Sequence, residues 1–372
     1  MKVPICEPVF TGSELKFLSH CVRSRVISRR SKYVSEFESQ FAKYCGCKYG
    51  VATNSGTTAL HLGAAAAGVK QGHDVIVPTF TMIATANAVV YQKATPVLVD
   101  SENESWNIDP TQVDHVCSKR TTAILLTHIY GHPANMDPIK RIAAQKGLMI
   151  IEDAAEAHGA EYKGRRAGSL GDLGCFSFYS NKIITTGEGG MVVTNSRRIY
   201  DRARQLVELS FGRGVSSRYI HSSVGFSYCM TGLQAAVGLA QMSMIDEFVE
   251  ARRRHAALYN SLLDGTQGIT TPPEMRWAKN GYWLYTALID DEEYGLARDR
   301  LIEKLAEGGV ETRPTFYPLH RQPALKELAR KHGRYPVADL LSRNGINLPS
   351  GSGLTDKQII YVCKLIKSFA RK

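Results

Sequence analysis

The feature that most constrains this chain is a long alternation of short β-branched runs with alanine- and leucine-rich helical stretches. Residues 49–53 predict a strand and residues 57–67 a helix; strand 74–78, helix 82–91 and strand 95–100 follow. The rhythm continues with strand 122–127, helix 138–145 and strand 148–152, which ends in acidic residues. Such repetition predicts an α/β fold, a mostly parallel sheet flanked by helices, with function at the carboxyl ends of its strands.

Residues 174–179 and 190–194 predict two more strands around the turn Thr185-Thr186-Gly187-Glu188-Gly189-Gly190. Residues 233–263 carry Ala, Leu and Met at helical spacing and predict one long helix joining two lobes. Beyond it, a strand at 283–289 and helices at 299–307 and 356–370 predict a smaller α+β domain. The expected division is a large domain over residues 1–250 and a small one over 251–372. No internal repeat or low-complexity linker interrupts the chain.

Composition narrows the function classes. Hydrophobic residues at 44% and charged residues at 22% are the proportions of a globular protein. No apolar run approaches the roughly 18 to 20 residues that cross a bilayer, and residues 1–13 lack a signal-peptide pattern, so a cytoplasmic protein is expected. The eight cysteines are mostly scattered singly without zinc-ligand spacing, so no metal site is predicted. A net charge of +11 suits a polyanion or a phosphate-bearing small substrate equally. No groove-reading module accompanies it, which argues against a nucleic-acid-binding regulator. No G-x-G-x-x-G follows the first strand, which argues against a nicotinamide enzyme.

Four segments carry chemistry. Asn54-Ser55-Gly56-Thr57-Thr58 lies between a strand and a helix, where backbone N–H groups and hydroxyls face an anion; the same residues also suit a plain helix cap. In Ile150-Ile151-Glu152-Asp153-Ala154-Ala155-Glu156-Ala157, an apolar strand delivers Asp153 to the sheet edge. There it either caps the next helix or meets a pyridine nitrogen, whose protonation makes a cofactor ring an electron sink. Phe176-Ser177-Phe178-Tyr179-Ser180-Asn181-Lys182 brings a lysine past a second strand, and desolvation turns such an amine into a nucleophile for aldehydes. The glycine turn follows at once and is compact enough to set the lysine beneath a flat cofactor.

Together with Pro78-Thr79-Phe80-Thr81-Met82-Ile83-Ala84-Thr85-Ala86-Asn87, Thr127-His128-Ile129-Tyr130-Gly131-His132, Thr312-Arg313-Pro314 and Tyr317-Pro318-Leu319-His320, this order resembles the DegT/DnrJ/EryC1/StrS sugar aminotransferases over nearly the whole chain. Residues 181–191 look most like the perosamine synthases, which aminate C4 of a nucleotide-linked 4-keto-6-deoxyhexose. The resemblance implies the type I aspartate aminotransferase fold with a seven-stranded sheet, a homodimer, and pyridoxal 5′-phosphate (PLP) as cofactor. It implies Lys182 as the lysine that bonds the cofactor and shuttles protons, Asp153 as partner of the ring nitrogen, and Glu156 beside the phenolic oxygen. Ser55, Gly56, Thr57 and Ser177 are the implied phosphate residues, and L-glutamate is the implied amino donor. GDP-perosamine is the first product it suggests, with UDP- or dTDP-viosamine next. Relatives that dehydrate the sugar at C3 have histidine where this chain has Lys182.

Three positions depart from the family pattern. Met82 stands where an aromatic residue usually covers the ring, and sulfur is able to make that contact. Ser227-Tyr228-Cys229-Met230 replaces Asn-Tyr-Arg-Met, leaving Ser227 to reach a partner subunit's phosphate. Val26-Ile27-Ser28-Arg29-Arg30-Ser31 replaces Trp-Ile-Ser-Ser near the sugar nucleotide, where Ser28 and Arg29 are candidate contacts, together with Tyr317 and His320.

Overall fold

Seven strands form the central sheet of the computed structural model, which describes residues 1–212 and 214–371. They are β1 (Tyr49–Thr53), β2 (Asp74–Pro78), β3 (Thr95–Val99), β4 (Thr121–Thr127), β5 (Met149–Asp153), β6 (Leu173–Ser177) and β7 (Gly190–Thr194). Their order is β1-β7-β6-β5-β4-β2-β3, and every pairing is parallel except those of β7 with β1 and β6. The predicted strands are all present, mostly within a residue or two at each end.

Both faces of this sheet are covered, which is why its strands read as unbroken apolar runs rather than alternating ones. Val75, Val77, Leu98, Leu125 and Ile151 enter one core. Their neighbours Ile76, Val97, Val99, Ile124, Leu126 and Ile150 enter the opposite one.

A second sheet is antiparallel throughout: β8 (Ile269–Thr270), β9 (Tyr285–Ile289), β10 (Arg313–Pro314) and β11 (Gly345–Leu348), in the order β8-β9-β11-β10. The long helix expected over 233–263 is two helices, Gly232–Met242 and Ile245–Leu263. Ser243 breaks it, because its hydroxyl bonds back to the Ala240 carbonyl at 2.7 Å while Met244 N–H bonds Gln241 O at 3.0 Å, tightening the last turn. The second of these helices packs Ile245, Phe248 and Val249 among the aromatic residues beside the large sheet, and Ala256, Tyr259 and Leu263 into the core of the small one. Among the described residues, no helix is long and apolar enough to cross a membrane.

Candidate active site

The carboxyl ends of β1, β5 and β6 open onto a cleft of about 390 Å³, closed from the other side by Trp283, Arg313 and Phe316. At one end lies the turn after β1. Ser55 is extended, and its hydroxyl accepts from Thr58 N–H while Thr58 Oγ1 accepts from Ser55 N–H, a reciprocal cap that starts helix Gly56–Ala66. The first-turn N–H groups of Gly56 and Thr57 have no carbonyl within their own helix to bond and point out of its positive end. Ser177, at the end of β6, presses against this turn so closely that a Cβ on Gly56 would lie 2.6 Å from Ser177 Cβ. Only glycine fits there.

Asp153 ends β5 and is buried. Its Oδ2 accepts from Thr85 Oγ1 at 2.7 Å and its Oδ1 from Ala155 N–H at 3.2 Å, which fixes the carboxylate plane. Burial pushes its pKa above the usual carboxylate value, and the Thr85 hydroxyl, the Ala155 N–H and the Lys182 charge pull the other way. Glu156, one turn further, accepts from Tyr130 N–H at 2.7 Å, and burial raises its pKa too. Lys182 responds in the opposite sense: burial favours its neutral amine, against the attraction of Glu156 and Asp153. Its Nζ lies 3.5 Å from the centroid of the Trp283 ring.

Ser55, Gly56, Thr57, Met82, Asp153, Glu156, Ser177 and Lys182 therefore line one cleft. Met82 is 48% exposed and faces into it, whereas its neighbour Phe80 is core. Five other sequence candidates lie outside this chain's cleft. Ser227 is exposed and bridged to Glu208, Arg29 pairs with Glu208, Ser28 is exposed, and Tyr317 is 52% exposed. His320 is a packing residue, because one ring nitrogen meets Thr79 Oγ1 at 2.9 Å, the other meets Asp339 Oδ1 at 3.0 Å, and its ring stacks on Tyr335.

The cleft also holds Tyr179, Asn181, Glu188, Trp283, Arg313 and Phe316, none of which the sequence reading singled out as a site residue. Trp283 and Arg313 lie more than a hundred residues from Lys182, and no local spacing connects such positions. Arg313 stood within a recognisable segment, the one signal that pointed toward it.

The pattern of the DegT/DnrJ/EryC1/StrS aminotransferase family matches residues 10–367. The chain belongs to this family. A GDP-perosamine synthase from Escherichia coli O157:H7 is 40% identical over 367 residues, 99% of this chain and 98% of that one. Another from Caulobacter vibrioides is 41% identical over 359 residues, 96% of this chain and 95% of its own. Among solved structures, DesV of S. venezuelae superposes with a TM-score of 0.91 at 33% identity, covering 97% of this chain and 95% of that one. This DegT/DnrJ/EryC1/StrS member is thus a PLP-dependent aminotransferase, and the cleft fits the group: an anion-binding helix start, a buried carboxylate, a desolvated lysine and the apolar Met82 and Leu60. PLP, when bound, supplies an aldehyde and a ring that withdraws electrons from the reacting carbon.

Proposed function

We propose that the enzyme transfers the amino group of L-glutamate to C4 of a nucleotide-linked 4-keto-6-deoxyhexose, with GDP-perosamine as product. The observation that carries the reading is the burial of Lys182 in one cleft with Asp153 and Glu156. The name shared by the two relatives above supports the sugar and the nucleotide.

In this reading each residue has one job. Asp153, oriented by Thr85 and Ala155, would hold the cofactor's ring nitrogen and favour its protonated form. Gly56, Thr57 and Ser177 hold the phosphate at the helix start, with Ser55 shaping the turn. Glu156 would hold the phenolic oxygen, and Met82 would lie against the ring. Lys182 Nζ, its pKa lowered by burial, accepts and returns the proton that moves in each half of the reaction. Arg313, the only cleft-lining cation besides Lys182 among the described residues, supplies charge for the donor's carboxylate. Ser227, Ser28, Arg29 and Tyr317, exposed or half-buried outside their own cleft, serve the site of a second copy in a homodimer.

The deciding experiment incubates the purified enzyme with glutamate and a panel of GDP-, UDP- and dTDP-linked 4-keto-6-deoxyhexoses. Amination of the GDP-linked mannose-type sugar at C4 is the expected result. Preference for a UDP- or dTDP-linked sugar would move the assignment to a viosamine-type product, and no amination of any keto sugar would remove the reading.

A further inference from the structure

Lys182 has a neighbour with no role in the scheme above. The buried Trp283 ring lies 3.5 Å from Nζ, and the same indole donates Nε1–H to the carbonyl of Asn181, the residue before the lysine, at 2.9 Å. One side chain therefore faces the amine and also holds the backbone from which it springs.

Trp283 is itself held from several directions. Its carbonyl accepts from Arg252 Nη1 at 2.5 Å, and Arg252, only 3% exposed, also bonds Ser352 Oγ at 2.9 Å and Cys6 Sγ at 3.4 Å. Cys6 Sγ–H in turn donates to the Asn181 carbonyl at 3.2 Å. The indole also stacks on Tyr130 at 6.3 Å and 19°. So extensive a framework around one aromatic ring exceeds what filling space requires.

We propose that Trp283 is a positioning residue for Lys182, its ring face being the seat of the ε-amine in its protonated form. The π face attracts the charged form and not the neutral one, so it keeps the proton on Lys182 more firmly than the site would without it. The other groups facing the amine are Glu156 and Asp153 from the end of β5, Cys6 from the N-terminal segment, Arg252 from helix Ile245–Leu263, and the buried His158. Glu156, Asp153 and Cys6 favour the ammonium, while Arg252 and burial disfavour it. Removing the ring therefore takes away one of the contacts that hold the proton.

The inference rests on Lys182 being the amine that takes the cofactor, and the test separates the two. Cofactor-free enzyme is mixed with PLP over a pH series, quenched with borohydride at fixed times, and the fraction of Lys182 carrying the reduced cofactor is read by peptide mass. Only the neutral amine condenses, so the rate rises through the pKa of Lys182. In W283L the midpoint is expected to fall by about one pH unit, the size of shift a desolvated ammonium over an indole face implies. In W283F, which keeps a weaker face and loses the N–H, it falls by roughly half as much. A W283L midpoint equal to wild type, with a native unfolding transition, overturns the proposal. Should W283L fail to fold, an unshifted W283F midpoint does the same. Wild-type enzyme that carries no label on Lys182 points instead to failure of the parent assignment.

Discussion

Glu152 and Asp153 are adjacent acids with opposite fates, because successive strand residues face opposite sides of a sheet. Glu152 turns away from the cleft, accepts from the N–H groups of Gly168, Leu170 and Gly171 and pairs with His128, which makes it a structural carboxylate. Asp153 turns into the cleft. The acidic pair at the strand end could be read from the sequence, but not which acid faces the cleft, because a strand buried on both faces has no alternation to mark its register; Thr85, which aims Asp153, comes from another element. Asp153→Asn is expected to slow turnover about 100-fold or more, equivalent to ~3 kcal/mol of lost transition-state stabilisation, with the fold intact by circular dichroism. A wild-type rate in that variant would remove Asp153 from the ring nitrogen. Lys182→Ala is expected to abolish sugar amination and borohydride-stable labelling together, while its thermal unfolding stays cooperative. Sustained amination would refute the assignment.

Elements were legible where periodicity was strong and illegible where it was shared or interrupted. Strands β1 to β7 announced themselves as apolar runs, whereas helices Ser13–Ser24, Lys32–Tyr44 and Arg197–Leu206 are polar overall and carry only a narrow apolar stripe, with Ser31 and Ser196 capping the last two. Helix Lys32–Tyr44 buries Phe37 and Phe41, and Phe37 lies so close to Gly238 that a Cβ there would fall 2.8 Å from its ring. The start of helix Gly56–Ala66 is where element and site meet. Alanine in a helix is ordinarily better than glycine by about 1 kcal/mol, so an unencumbered Gly56→Ala change would stabilise the protein. Here the new Cβ would sit 2.6 Å from Ser177 Cβ and 2.8 Å from Ser177 Oγ. The expected outcome is the reverse, a loss of about 1–3 kcal/mol in chemical denaturation. Cofactor binding, followed by fluorescence titration, should weaken in parallel. A more stable Gly56→Ala enzyme would show that the turn and β6 are free to part.

The whole molecule brings its two larger sheets together at a seam that local patterns do not reveal, because each contact joins segments far apart in sequence. Tyr130, at a left-handed φ of 52°, gives its N–H to Glu156, accepts Phe316 N–H on its hydroxyl at 3.0 Å, and stacks on Phe316 at 5.2 Å. The next residue, Gly131, has φ +100°, and its carbonyl accepts Gly281 N–H at 3.0 Å. A Cβ at this position would lie 2.8 Å from Tyr282 N and 3.0 Å from Trp283 N, so the segment that carries Trp283 over Lys182 rests directly on a bare backbone. Helix Ile245–Leu263 spans the same seam from behind and contributes Arg252 to the Trp283 carbonyl. Gly131→Ala meets two penalties at once, a left-handed backbone for a residue with a side chain and a collision with backbone atoms that have no rotamer to escape through. Together they should cost about 2–4 kcal/mol. If the seam positions Trp283, the variant should also unfold at lower denaturant, change the tryptophan emission of the native state, and bind PLP more weakly even where it is fully folded. Tyr130→Phe makes the comparison sharper, because it keeps the ring and deletes the hydroxyl that accepts Phe316 N–H, which predicts a smaller loss of about 1–3 kcal/mol. Equal stability of Gly131→Ala and wild type would mean that the two sheets meet less closely than this geometry requires, and that something other than the seam holds Trp283 against Lys182.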